Sequence, residues 1–419
     1  MSMLAISPSY YAPRPDERLP VGAVDPKSLP EGVECPLLFQ HTEVPSGNST
    51  VTLKNRVIVA PMCMYSSVDG FPTPFHLVHH GQFALHGAGS IIVEASGVTP
   101  AGRISSRDLG LYKEEHVAAH ASLVQTVKSV SSDVYFGIQL AHAGRKASTY
   151  PPYDRTPHDT PYVPVSDGGW DKTVVSPSAI PYGEGHLVPH ELSLSEIRDI
   201  EDDFVRAADR AYRAGYDFVQ IHSAHGYLLS SFNSPLANQR TDLYGGTLEN
   251  RTRLLLNIVR RIREQFPDKG LWVRLNGTDG LPEEDERESW NYEDTTALAS
   301  LLDSAGVDML DISSGGTVGQ IKFLSTPGYQ VPGAVAAKSA GLKRMKVSSV
   351  GCLQGGTEEN PDAPGLFAEK VLQEGSADFI ALGRVFLRQP TWVEDAARAL
   401  LGRHAAGALQ YSYTFPRLE

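Results

Sequence analysis

The chain has 419 residues, 41% of them hydrophobic, and a formal net charge of −12 at neutral pH. That apolar content supports a large core and excludes global disorder, while the acidic balance, with no basic stripe, excludes nucleic acid as the expected partner. The three cysteines, Cys35, Cys63 and Cys352, are too few and too scattered for a disulfide framework or a four-cysteine cluster, and they suit a reducing compartment. The first residues, Met1 to Pro8, carry no charged segment followed by an apolar run, and no stretch approaches a membrane span. A cytoplasmic protein with no membrane partner is expected.

Residues 1–35 are rich in Pro and polar residues and read as an extended arm. From Pro36 to Thr52 a Leu-Phe run, a Pro-Ser-Gly-Asn turn and a Val-Thr pair predict a capping hairpin. A strand-then-helix rhythm follows. Its strands are expected at Arg56 to Pro61, Ser90 to Glu94, Val134 to Leu140, Asp217 to Ile221, Leu271 to Leu275, Asp308 to Ile312, Lys346 to Val350 and Asp378 to Leu382. Seven are expected to lead into a helix, and helices are predicted over Ser193 to Gly215, Thr247 to Phe266, Tyr292 to Ala305 and Trp392 to Leu401. Three strands are entered through a repeated loop: Ala214-Gly215-Tyr216-Asp217, Ala305-Gly306-Val307-Asp308 and Glu374-Gly375-Ser376-Ala377-Asp378. Each places Gly at a helix C-cap and Asp at the strand entrance. Eight alternating strands predict an α/β protein, a (β/α)8 barrel over residues 36–403, with a tail at 404–419. A doubly wound open sheet is the rival, but its glycine-rich first loop is absent.

Between Tyr150 and Val188, after the third strand, a Pro-, Tyr- and Gly-rich stretch is a candidate lid or substrate wall. Glu283 to Glu286 read as a solvated face. The fourth strand opens into His222-Ser223-Ala224-His225-Gly226-Tyr227, two imidazoles and a phenol where α/β folds place their chemistry. Two donors for an oxygen and one acid for a carbon suit the reduction of a conjugated carbonyl; satisfaction of a polar core is the bland alternative. A zinc site lacks a third ligand at a suitable spacing, so no metal is expected. Gln139 and Arg274, at the ends of strands three and five, suit a planar, acceptor-rich ring that becomes anionic on reduction. Gly351 and Gly383-Arg384 end strands seven and eight, where many barrels bind phosphate. That combination points to a flavin.

With Pro61-Met62-Cys63-Met64-Tyr65, Gln139-Leu140-Ala141-His142-Ala143-Gly144-Arg145, the His222 stretch and Ser234 through Gly246 in unbroken order, the chain resembles the Old Yellow Enzyme family of FMN-dependent ene-reductases. It is similar in particular to the class whose first strand ends Pro-Met-Cys-Met-Tyr, and to that class's fungal branch in its long arm and its insertion after strand three. The resemblance implies non-covalent FMN contacted by Ala95, Gln139 and Arg274, with Pro61, Met62 and Cys63 beneath or beside the ring. It implies phosphate contacts from Gly351, Gly383 and Arg384. His222 and His225 would bind the substrate oxygen, Tyr227 would protonate Cα, and Tyr65 would line the substrate face. Cys63 would tune the flavin, a small buried hydrophobe being the competing reading. The implied reaction is reduction of activated alkenes, enones and nitroalkenes, with NADPH (or NADH) as reductant and hydride passing from flavin N5 to Cβ. An FMN-dependent isomerase or pathway reductase is one alternative, and a non-catalytic barrel acting as a binding module is another. Ser234 to Gly246 reads as scaffold, with Arg240 and Asp242 paired. Tyr413 stands where short bacterial members carry an arginine that reaches a neighbour's site, so the shared-site dimer does not carry over and the oligomeric state stays open.

Overall fold

In the computed structural model, the described residues are 19–154, 156–321, 323, 325–408 and 410–411. The arm before residue 19 and Tyr413 in the tail therefore lie outside them.

Eight parallel strands close into a barrel in the order in which the chain delivers them: Val57–Val59, Ser90–Gly97, Tyr135–Ala141, Phe218–Ser223, Gly270–Asn276, Met309–Ser313, Lys346–Ser349 and Phe379–Leu382. Each expected strand is present, and a helix follows every one of the eight rather than seven. The helix expected from Ser193 to Gly215 spans Leu194–Ala214. Ser193 caps it by accepting from the Glu196 N–H, and Glu196 reaches back to the Ser193 N–H. Gly215 and Gly306 have φ of 96° and 86°, the left-handed turn that lets the chain leave one helix and enter the next strand.

The aspartates that follow those turns have a common task. Asp217, Asp308 and Asp378 accept the N–H of Phe136, Leu271 and Val347 at 2.8 Å each, so every one clasps the second residue of the preceding strand. Cations balance them: Lys128 on Asp217, Arg263 and Arg344 on Asp308, Lys338 on Asp378. The capping hairpin, Thr42–Ser46 against Ser49–Leu53, closes the same end. Its Val44 and Leu53 pack on Ile58, Ile92, Phe218, Trp272, Met309 and Phe379, a layer of side chains filling the lower barrel. Burying each such side chain is worth about 1.5–3 kcal/mol.

Alternate residues along a strand face the lumen. Phe218, Trp272 and Met309 belong to that apolar layer. Two residues on, Gln220, Arg274 and Asp311 are buried polar groups, and His222 stands two further along. The apolar floor thus gives way to a polar layer toward the C-terminal mouth. The Ser234 to Gly246 stretch is scaffold. Arg240 grips Asp242 through Nε and Nη2 at 3.1 and 2.5 Å and donates to the Pro177 and Leu192 carbonyls at 2.9 and 2.6 Å. Glu283, Glu284 and Glu286 are exposed. Among the described residues no helix is long and apolar enough to cross a membrane.

Candidate active site at the barrel mouth

Strand four runs through Ser223, so His222 belongs to the strand and not to the loop after it. Its register partner is Arg274 on strand five. The imidazole Nδ1 accepts the Ala224 N–H at 3.2 Å, which places the ring proton on Nε2 and leaves that edge as a donor. Burial, with lesser contributions from His225, Arg274 and Lys146, holds His222 well below the usual histidine range, so it is neutral at physiological pH.

His225 adopts φ of +61°, a conformation that costs a side-chain-bearing residue of the order of 1 kcal/mol. Its N–H donates to Asn276 Oδ1 at 3.0 Å, and its carbonyl accepts from Lys146 Nζ at 2.8 Å. Burial, then Arg274 and Lys146, keeps this ring neutral too. Its Nε2 lies 2.7 Å from Ser313 Oγ, so an incoming oxygen must displace that hydroxyl or use Nδ1. His225 and Tyr227 both stand edge-on to His222, with ring centroids at 5.2 and 4.9 Å and interplanar angles of 87°. Burial, followed by nearby Cys63, Tyr65 and Asp108, pushes the Tyr227 phenol well up, so it retains its proton. Lys146 Nζ lies over the rings of Tyr182 and Tyr227 at 4.4 and 5.1 Å.

A cavity of about 380 Å³ opens beside His225, while His222 does not line it. Pro61, Met62, His225, Arg274, Gly351, Gly383 and Arg384 line it, as expected from the sequence, and Ser313, Tyr329, Gln330, Cys352 and Arg388 join them. Ala95, Cys63 and Tyr227 are not in that wall. They share a second apolar cluster with Ile104, Ala141, Trp170, Val174 and Leu187. Cys63 is half-buried, and burial pushes its thiol well up, so it is not a thiolate. Gln139 is buried and donates Nε2 to Gln220 Oε1 at 2.7 Å. Tyr65, with φ of +50°, accepts at its carbonyl the hydroxyl of Tyr153 at 2.9 Å. Tyr153 comes from the stretch after strand three, as do Trp170, Tyr182 and Leu187, so part of that stretch forms a wall of the mouth. Arg145 ties it down, donating to the Ile180 and Pro181 carbonyls at 3.1 and 3.3 Å.

The polar atoms of the mouth suit an acceptor-rich, phosphorylated ring compound. Arg274 is buried, with Nε 3.1 Å from Asp311 Oδ2, and among the described residues no protein acceptor holds its terminal nitrogens. Arg384 stands exposed at the cavity rim with no carboxylate partner among the described residues, and Gln330 Oε1 is buried without a partner. Buried polar groups left without a partner, donor or acceptor, are costly unless a ligand takes them. Asp311, Gln220, Ser313 and Lys146 carried no motif signal. The available cue was a polar residue at a lumen-facing position, two residues from an apolar one, as in Met309-Leu310-Asp311.

A parallel barrel whose mouth offers guanidinium nitrogens without a protein acceptor among the described residues, together with neutral imidazoles, defines a class of cofactor-dependent barrel enzymes. The model of the NADH:flavin oxidoreductase / NADH oxidase family matches residues 44–401, and the chain belongs to that family, which is of the Old Yellow Enzyme type. It is an FMN-dependent oxidoreductase using a reduced nicotinamide. The NADPH dehydrogenase of Bacillus pumilus is 40% identical over 353 residues, covering 84% of this chain and 92% of that protein. An NADH:flavin oxidoreductase of Gibberella zeae is 38% identical, covering 87% of each. Among solved structures, morphinone reductase aligns with a TM-score of 0.66 at 26% identity, covering 88% of this chain and 91% of that one. A 2-naphthoyl-CoA reductase complex, at 22% identity and a TM-score of 0.70, shares the fold.

Proposed function

We propose that the chain is an NADPH-dependent ene-reductase that reduces the C=C bond of α,β-unsaturated carbonyl and nitro compounds. The observation that carries this reading is that His225 and Tyr227 both stand edge-on to His222, two neutral imidazoles and one protonated phenol, with His225 lining a cavity in which the terminal nitrogens of Arg274 meet no protein acceptor among the described residues. FMN, when bound, supplies a hydride for the alkene β-carbon and is recharged by the nicotinamide. Arg274, Gln139 and Ala95 would hold its ring with Pro61, Met62 and Cys63; Gly351, Gly383 and Arg384 would hold its phosphate. NADPH as reductant follows the names of the Bacillus relatives, with NADH the alternative.

His222 Nε2–H, and His225 once Ser313 turns aside, donate to the substrate oxygen and stabilise the negative charge that grows there. Neutral donors suit this task because they polarise without protonating the oxygen outright. Tyr227 holds its proton at the phenol oxygen until the α-carbon needs it. Tyr65, Tyr153 and Tyr182 form aromatic walls that keep water off the site. The Pro61 to Tyr65 motif and the long stretch after strand three support placement in the fungal branch of the class that shares that motif.

Tyr227→Phe tests the assignment, since it keeps the ring and removes only the proton. Stopped-flow measurement should find the step with simple enones slowed about 10²–10⁴-fold, the worth of a positioned general acid. The step with NADPH should be unchanged, and nitroalkenes should suffer less because their nitronate leaves unprotonated. Equal slowing of both steps would refute the acid role, and an isomerase would yield rearranged product without net consumption of NADPH.

A further inference from the structure

Beneath the mouth, five lumen-facing polar groups from five successive strands form one connected chain. Gln139 Nε2 donates to Gln220 Oε1 at 2.7 Å, and Gln220 Nε2 in turn points to Asp311 Oδ2 at 3.4 Å. Asp311 Oδ1 accepts the Ser348 hydroxyl at 2.8 Å, and Oδ2 lies 3.1 Å from Arg274 Nε. The Arg274 N–H is turned off the line to Oδ2, so that contact is ionic rather than a directed hydrogen bond. All five residues are at most 5% exposed. Strand register sets the spacing, with Gln139 opposite Gln220 and Asp311 between Arg274 and Ser348.

An amide can present either end, and in isolation nothing selects which. Here the choice is made at Asp311. Paired with Arg274, its carboxylate offers acceptors only, so Gln220 must turn its NH₂ toward it. Gln220 then shows its carbonyl to Gln139, and Gln139 must spend its NH₂ there. The acceptor Gln139 has left for a ligand is its carbonyl oxygen, beside the second N–H of the same amide. Asp311 also takes the inner edge of the Arg274 guanidinium, which leaves the two terminal nitrogens for the cavity.

We propose that Asp311, acting through Gln220 and Arg274, is a positioning residue that sets the hydrogen-bond polarity of the flavin pocket and moderates the positive charge beside the ring. The proposal rests on the reading that Arg274 and Gln139 face the FMN ring. It carries two separable consequences. Removing the carboxylate charge leaves Arg274 uncompensated and favours the anionic reduced ring. Removing the Gln220 amide leaves the charge alone but frees Gln139 to rotate, which weakens binding of both redox states together.

The test uses purified holoenzyme, read by the two-electron potential of the bound FMN and by the FMN dissociation constant of the stripped protein. Asp311→Asn should raise the preference for reduced over oxidised FMN about tenfold, a positive shift of about 30 mV for a two-electron couple. Gln220→Met should weaken FMN binding about fivefold with the potential nearly unmoved. Ser348→Ala, which removes one hydroxyl from Asp311, should move the potential in the direction opposite to Asp311→Asn by about twofold in the same preference, since the carboxylate loses a donor and bears more charge. A folded Asp311→Asn protein with parental potential and affinity would make Asp311 a structural residue only and overturn the proposal. If that variant fails to fold, an unmoved potential in Ser348→Ala overturns it equally. Arg274→Met separates the two levels. Should it leave potential and affinity at parental values, Arg274 does not face the ring, and the reading of the mouth itself fails.

Discussion

The two ends of this barrel use similar residues for opposite purposes. At the floor, Asp308 is fully buried and meets the N–H groups of Gly47 and Leu271 together with Arg263 and Arg344. Its acceptor capacity is spent inside the protein. At the mouth, Arg274 is buried too, yet its terminal nitrogens meet no protein acceptor among the described residues. The floor therefore acts as a stability device, and the mouth holds polar capacity in reserve for a ligand. Backbone conformation divides the same way. Of the non-glycine residues at positive φ, Tyr65, His225 and Cys352 lie at or beside the mouth, where strain is tolerated because neighbours over-determine it.

The strongest way to break this contrast is Asp308→Ala. It strands two buried N–H groups and two guanidinium partners, and should cost about 3–5 kcal/mol in urea melts, the usual penalty for breaking a buried ion pair. The folded fraction at low temperature should keep its flavin, and loss of FMN without loss of stability would erase the distinction between the ends. His222→Ala works from the other side. It should weaken the charge-transfer complex with a phenolate ligand by roughly 2.7–4 kcal/mol, the worth of one donor to an oxyanion. The melting temperature should fall far less than in Asp308→Ala.

A pH titration sharpens the comparison. Burial, with Arg145 nearby, pushes the Lys146 ammonium down to about 7, against an ordinary value near 10.4. Between about 7 and 10.4 the unfolded chain then holds a proton that the folded chain has released, so this group makes stability rise with pH across that window. Lys146→Met should flatten that rise relative to the parent, and parallel stability–pH curves would show the lysine to be unperturbed. The smallest expected effect is that of Tyr153→Phe. Its hydroxyl donates to the Tyr65 carbonyl from a largely exposed ring, so stability should change by only about 0.5–1 kcal/mol. A several-fold rise in KM for bulky enones, with kcat held, would mark Tyr153 as a wall of the mouth; an unchanged KM would remove it from that role.

The barrel was legible from the chain alone because its repeating unit is local. A glycine that ends a helix and an aspartate that enters a strand sit within four residues of each other, as at Gly215 and Asp217, and the physics that selects them acts over the same short span. The two imidazoles and the phenol stood out for a similar reason, being crowded into His222 to Tyr227. Only His222 was misplaced, since the strand runs on through Ser223 under pairing with strand five; His225 and Tyr227 do lie in the loop after it. What the chain could not announce is which polar side chains meet across the lumen. Asp311 is separated from Gln220 by 91 residues and from Gln139 by more, and only closure of the barrel brings them to one level. Nor could it announce that Ser313 occupies His225, or that Lys146 lies between Tyr182 and Tyr227. Those contacts depend on strand stagger and loop packing, long-range terms that no window of sequence contains. Local rules wrote the scaffold and gathered the imidazoles and the phenol; closure of the sheet decided how those groups are aimed and what capacity they keep for a ligand.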